Sequence, residues 1–487
     1  MFSLFTAKKS AATNMPPLKL HNTLSNSLEV FVPLSKREVK MYNCGPTVYG
    51  TQHIGNMRAA VFADTLRRTL GAWGYTVKQA INITDFGHLS GDNHGDADTG
   101  EDRMTMGLKR EGMELTLENM RTLATKYMEE YFADIETLGV DRTKITFPRA
   151  SDYIQEQVAL IQTLEQKGYA YQIKNGVYFD TAKFAQYGKL GGINLGGQQE
   201  GSRVEKNKEK RNAIDFVLWK SDGTLGWESP WGLGFPGWHI ECTAMIFTLL
   251  GKQIDIHTGG IEHIPVHHNN ELAQAEAASG KRFVQYWLHN DHITIEGKKI
   301  SKSLGNTIYL RSIIDRGFSS RALRYWFLTA HYRSPANFTW DALDGSATAL
   351  ARLTRTYFEL PKGGTADAAY MEKFYTHIAN DLDTPQAIAL AWEVLKNTTL
   401  SPADKKATLF KMDEVLGLGF VDVRPTQKLS ITPADDLPEV VRTLAKEREN
   451  ARLAKDFNKA DDLRGQIYTL GYDVTDTSEG QKLTPHS

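Results

Sequence analysis

Val39-Lys40-Met41-Tyr42-Asn43-Cys44-Gly45-Pro46, followed shortly by His53-Ile54-Gly55-Asn56, opens the stretch that decides the fold. The first run reads as a strand ending at Cys44, broken by Gly45-Pro46. A helix is predicted from about Gly55 to Trp73, because Phe62, Leu66, Leu70 and Trp73 fall on one face of a 3.6-residue period. Gly74 stops it. Val77, Gln79, Ile81 and Ile83 then alternate as a second strand, which runs out at Asn82-Ile83-Thr84-Asp85. Strand, helix and strand in that order make a βαβ unit with parallel strands. Such sheets hold ligands outside the carboxyl ends of their strands, so Cys44 and Thr84 are the first candidate site residues.

A chain of 487 residues is too long for one core and predicts several domains. A Gly/Asp/His-rich loop (Phe86 to Glu101) and a helix (about Thr116 to Leu138) follow the first unit. Residues 146–222 differ in texture. They hold a helix to Lys167, a strand at Val177-Tyr178-Phe179 and a polar, basic loop from Gln198 to Asn212. This segment reads as an insertion between two halves of a nucleotide-binding fold. The second half returns at Ile254-Asp255-Ile256-His257, with a helix from His267 to Ala278. The chain is helix-rich from 345 to about 418, then has a linker with Pro425, Pro433 and Pro438, then a basic helical region at about 439–470. Residues 1–16 read as a disordered extension without the apolar stretch of a secretory signal. No apolar run approaches the ~18 residues of a membrane span. With 57 basic and 58 acidic residues, only local patches could serve a nucleic acid. Two cysteines without a secretion signal argue for a reducing compartment and against a structural disulfide.

Four motifs carry chemistry. His53-Ile54-Gly55-Asn56 sits where strand gives way to helix, and a helix N-terminus offers backbone N–H groups and partial positive charge to a phosphate. Gly297-Lys298-Lys299-Ile300-Ser301-Lys302-Ser303-Leu304-Gly305-Asn306 places mobile cations in a glycine-flanked loop, suited to closing on a phosphoryl group. His267 and Glu271, four apart on a helix, share a face. With Cys44 and Cys242 they make a Cys₂-His-Glu zinc set, with His239 and His268 in reserve. Arg448, Arg452, Lys455 and Lys459 form one basic stripe if the helix there is continuous. Each motif alone has a plainer reading. A lone His is structural, a Lys/Ser run is a solvated loop, and a lone Cys is a small core residue. A His–Glu pair can be a hydrogen bond on a helix surface, and a basic stripe a solvated helix face.

Taken in order, these pieces resemble one family, the cysteinyl-tRNA synthetases of class I. Matching stretches are Tyr42-Asn43-Cys44-Gly45-Pro46-Thr47-Val48-Tyr49 with His53-Ile54-Gly55, Asn82-Ile83-Thr84-Asp85, Asp215-Phe216-Val217-Leu218-Trp219-Lys220, Pro236-Gly237-Trp238-His239-Ile240-Glu241-Cys242, Asp255-Ile256-His257 and His267-His268. Lys299-Ile300-Ser301-Lys302-Ser303 is similar to the family's lysine-loop signature. The resemblance covers about residues 17–480.

It implies an α/β fold. A split Rossmann-type domain (17–145 and 223–295) carries an insertion (146–222). A stem-contact segment with the lysine loop (296–344), a helical bundle (345–420), a linker (421–438) and a small anticodon-binding domain (439–487) follow. It implies cysteine–tRNA ligase activity: ATP, with Mg²⁺, activates L-cysteine, which then passes to the 3′ end of tRNA(Cys). Cys44, Cys242, His267 and Glu271 become the ligands of one zinc. Gly45, Thr84, Trp238 and His257 surround the amino acid. His53, Gly55, Asn56, Lys299 and Lys302 bind ATP, with His53 and Lys302 catalytic. A cytoplasmic monomer with no membrane attachment is expected. Zinc suits the task, since telling cysteine from serine requires roughly 10⁴ to 10⁵ of discrimination. A thiol ionises on zinc far more readily than a hydroxyl.

Asn56 departs from the second histidine usual at that place. Phe86-Gly87-His88 replaces a common acidic run, and a solvated loop is the plainer reading of Asp92, Asp96, Asp98 and Glu101. Two other readings compete: a ligase handing activated cysteine to an amino-sugar, and a non-catalytic paralogue that binds cysteine or RNA.

Overall fold

The computed structural model describes residues 15–87, 101–192, 209–300, 305–420, 437–454, 456–477 and 480–485. The expectations for residues 1–14, for the loop carboxylates Asp92, Asp96 and Asp98, and for Lys302 and Lys455 lie outside these. The described residues divide into two compact units. One is built from those up to Leu353 and from Leu360–Gly419, the other from Thr354–Glu359 and those from Phe420 on.

A five-stranded sheet centres the first unit. Its strands are β1 (Glu38–Asn43), β2 (Thr76–Ile81), β3 (Ile145–Thr146), β4 (Ile254–Gly260) and β5 (Val284–Asn290). All neighbours pair parallel, in the order β5-β4-β1-β2-β3. Read from the other edge, this is the doubly wound order, and the direction of winding reverses between β1 and β4. Helix α1 (Ile54–Ala72) makes the crossover from β1 to β2. The expected alternation in β2 gives way at its end, where Gln79, Ala80 and Ile81 are all buried. A central parallel strand is covered on both faces. Ile83 lies beyond the strand, in an isolated bridge to Arg149.

At the carboxyl ends a polar ladder crosses the sheet. Gln79 donates to Asn43 (2.7 Å), Asn43 donates to Thr258 (2.6 Å), and the Cys44 amide donates to the Thr258 carbonyl (2.9 Å). The α1 framework is fixed by Asp64, fully buried and bonded to Arg68 (2.6 Å) and the buried Arg324 (2.8 Å). Those guanidinium groups hold the Asp64 carboxyl down to about 2 against the opposing effect of burial.

The insertion is a helix (Ile154–Gln166) and a four-stranded antiparallel sheet of Ala170–Ile173, Gly176–Phe179, Phe216–Ser221 and Gly234–Pro236. The last strand corrects the boundary expected at residue 222, since Trp219 to Ser221 pair with Gly234–Pro236. Asp215 ties this layer together, accepting from Tyr171, Thr181 and Asn212. Two helices follow in the Rossmann part: α2 (Trp238–Leu249) and α3 (Asn269–Ser279). The helix expected from His267 therefore starts two residues later, after a one-turn π-helix at Ile264–His268.

The second unit contains helices Glu439–Leu453 and Phe457–Thr469, and a hairpin, Tyr472–Thr477 with Gly480–Pro485, that sequence periodicity did not reveal. The basic stripe is not continuous. The first helix ends at Leu453, and Asp456 caps a new one through the Lys459 amide. Arg448 is 1% exposed and donates to Gln481 (3.0 Å), so it belongs to the packing of its unit.

Candidate active site

Three elements meet where the sheet reverses. Cys44 leaves β1, Cys242 sits one turn into α2, and His267 and Glu271 lie on the π-turn and the start of α3. One donor atom from each of these four falls within 4.8 Å of the others. Cys242 and Glu271 are fully buried and His267 nearly so, while Cys44 is partly exposed. His267 Nε2 lies 2.7 Å from Glu271 Oε1, so the i, i+4 relation survives the π-turn. Glu271 Oε2 meets His257 Nε2 at 2.8 Å. His268 approaches Cys44 Sγ at 3.2 Å, and its Nδ1 meets His289 at 2.7 Å. Cys44, His257, His268 and Glu271 form a second donor group of the same spread.

Two glycines permit this crowding. A Cβ on Gly45 would lie 1.8 Å from the Asn82 carbonyl oxygen. A Cβ on Gly259 would lie 2.6 Å from the His268 ring. Trp238 covers the group, its ring centroid 4.1 Å from that of His267, and Trp287 stacks on His257 at 4.7 Å.

Electrostatics favour a cation here. Burial opposes the Cys44 thiolate, yet the Cys242 hydrogen bond and the imidazoles of His268 and His267 bring its pKa well below the ordinary thiol value. Burial and the Cys44 hydrogen bond push Cys242 up. Against burial, Glu271 and Cys44 raise His267 to about 10. Burial lowers His239 and His268 well below the usual imidazole value. Two thiols, an imidazole and a carboxylate, crowded together and all but Cys44 buried, are a donor set that fits a metal ion.

The residues expected to receive phosphates lie at the start of α1, the helix that follows Cys44 in the chain. His53 caps α1: its Nδ1 accepts from the Gly55 amide (3.1 Å), and its own amide donates to Asn56 Oδ1 (3.2 Å). Asn56 thus completes a capping box. With Nδ1 accepting, a neutral His53 carries its proton on Nε2. The Ile54 amide bonds the Ile308 carbonyl (3.0 Å), and the Ile300 side chain lies 3.8 Å from the Cβ position of Gly55. The chain on both sides of the lysine loop therefore reaches the first turn of α1. Lys299 is exposed on a short strand (Lys298–Lys299), and its carbonyl accepts from Asn306 (3.0 Å).

Among the residues expected around an amino acid, Thr84, Trp238 and His257 are buried and Gly45 partly so. Asn82 and Glu241 were missed as separate contributors. Asn82 Oδ1 accepts from the Gly45 amide (2.8 Å), its Nδ2 donates to Thr84 Oγ1 (3.0 Å), and the Thr84 hydroxyl bonds Glu241. Both fall inside motif strings, and only tertiary contact distinguishes them from their neighbours.

Residues 30–348 match the family described as tRNA synthetases class I (C) catalytic domain, and residues 434–482 match the cysteinyl-tRNA ligase anticodon binding domain. The chain is 44% identical over 473 residues to cysteine–tRNA ligase 1 of Burkholderia lata, covering 96% of this chain and 97% of that one. The chain belongs to the cysteine–tRNA ligase family. Another member, from Thermus thermophilus, is 39% identical over 485 residues, with 96% and 98% covered. The fold also resembles that of Mycobacterium tuberculosis methionyl-tRNA synthetase in complex with methionyl-adenylate. The TM-score is 0.52 at 14% identity, over 78% of this chain and 90% of that one, a likeness of fold alone. As in the cysteine–tRNA ligase family, catalytic and anticodon-binding domains are both present. Among the described residues, no helix is long and apolar enough to cross a membrane.

Proposed function

We propose that this chain ligates L-cysteine to tRNA(Cys) at the expense of ATP, with one zinc per chain held by Cys44, Cys242, His267 and Glu271. The observation that carries the reading is that these four donors come together from three separate elements at the point where the sheet reverses. Zinc held there supplies a soft ligand position for a substrate thiolate, which serine cannot match. Gly45, Thr84, Trp238 and His257 shape the pocket around the amino acid. Its carboxylate oxygen attacks the α-phosphorus of ATP, and the bond to the β-phosphate breaks, releasing pyrophosphate. His53, at the N-cap of α1, receives the phosphates, with Gly55 allowing close approach and Asn56 holding the turn; the first-turn amides are already bonded, Ile54 to the Ile308 carbonyl and Gly55 to His53 Nδ1. Lys299 and Lys302, on the lysine loop, offset charge developing on the phosphates. The ribose of the tRNA end then attacks the carbonyl carbon, and AMP leaves.

The reading carries with it ATP as its Mg²⁺ complex, a cytoplasmic location and a monomeric state; light scattering tests the last. The anticodon-binding domain disfavours an amino-sugar as the acceptor. The zinc-replete chain is expected to catalyse cysteine-dependent ATP–pyrophosphate exchange without tRNA and to charge tRNA bearing the cysteine anticodon. No exchange from folded, zinc-loaded protein would sink the reading.

A further inference from the structure

Glu241 is a buried carboxyl that the proposed reaction leaves without a task. It lies in the first turn of α2, 1% exposed, and one carboxyl oxygen bonds the Thr84 hydroxyl. The other, Oε2, is buried and has no hydrogen-bond partner among the described residues. The orientation of Asn82 is pinned: its oxygen takes the Gly45 N–H at 2.8 Å, so the group facing Thr84 at 3.0 Å is the amide nitrogen, a donor.

A hydroxyl offers one proton and two lone pairs. Asn82 donates into one lone pair of Thr84, and Glu241 receives the proton. One lone pair is left, so Thr84 meets a ligand only as an acceptor. The role needs no more than an acceptor oxygen facing Thr84. An ionised carboxylate, a neutral acid through its carbonyl oxygen, and an amide all provide one.

We propose that Glu241 is a positioning residue for the substrate ammonium: by taking the Thr84 proton it commits that hydroxyl to accept from the α-amino group of cysteine. The inference rests on the reading above, in which Thr84 lines the amino-acid pocket. It goes beyond that reading by giving Glu241 a task and Thr84 a fixed polarity.

The test separates the amino group from the thiol. Cysteine and 3-mercaptopropionate, which is cysteine without its amino group, are titrated calorimetrically into the full-length, zinc-loaded chain without ATP. Glu241→Ala is expected to weaken cysteine roughly tenfold to hundredfold, the range for a hydrogen bond to a charged group. The 3-mercaptopropionate affinity should stay within about twofold of the wild type, the span of an undisturbed contact. Zinc content should be unchanged. Glu241→Gln, which keeps an acceptor oxygen, should recover most of the cysteine affinity. Thr84→Val gives a second arm that leaves Glu241 in place, and it should show the same selective loss. Equal weakening of both ligands in these variants, or no change in either, would overturn the proposal. Failure of the ligase reading shows elsewhere, as absent cysteine-dependent exchange by the wild-type chain.

Discussion

The candidate thiol site and the candidate phosphate site are built by opposite means. Cys242, His257, His267 and Glu271 are buried side chains from α2, β4, the π-turn and the start of α3, and each is placed by contacts with another of the group or with its cover. His53, Gly55 and Asn56 belong to a single turn of α1 and hold one another through local backbone bonds, while Lys299 is exposed. The first site exists only when distant parts of the chain have met. The second is built on one helix end, to which the chain flanking the lysine loop is joined by the Ile54–Ile308 bond. Damage should therefore spread on the thiol side and stay local on the phosphate side.

The largest effect is expected from Cys242→Ser. Loss of one thiolate from a buried donor set should weaken metal binding by about hundredfold or more, and cysteine binding with it. Chelator competition measures the metal, and wild-type affinity would remove Cys242 from the set. His53→Ala should slow pyrophosphate exchange roughly hundredfold, the range seen when a donor to developing charge is lost, with bound metal and cysteine affinity unchanged. A parallel loss of metal in His53→Ala would break the comparison, because the two sides would then not be independent. The smallest effect is expected from Asn56→Ala, which removes only the bond from the His53 amide. A shift of the urea midpoint equivalent to about 0.5–1 kcal/mol should result, with metal binding intact. A larger loss would mean that Asn56 does more than hold the turn.

How far the sequence could be read follows the same division. The βαβ unit was legible because Phe62, Leu66 and Leu70 repeat on a helical face and turn residues bound the strands. The four candidate ligands were legible as rare residue types at telling spacings, and the geometry groups them. Local periodicity says nothing about which buried polar groups answer each other, so the Asn82–Thr84–Glu241 chain emerged only from contact between the segment after β2 and α2. The basic stripe failed for a related reason. Spacing assumed an unbroken helix, whereas Asp456 starts a new one and Arg448 turns inward. The hairpin at 472–485 has no strong alternation to announce it. Asn56, a departure by residue type, is accounted for by its bond to the His53 amide.

The reversal of winding between β1 and β4 has a consequence for how the chain is made. Cys44 and Glu271, whose side chains lie 3.9 Å apart in the finished pocket, are separated by 227 positions in the chain. At roughly 5–20 residues per second of synthesis, tens of seconds pass between the appearance of the first donor and the last. Cys44 spends that interval as a bare thiol on a nascent chain, with the insertion sheet still to be threaded between the halves of its site. Loading of the metal proposed for this group would thus be a late event in biogenesis. A chain cut short anywhere before Glu271 lacks the complete donor set.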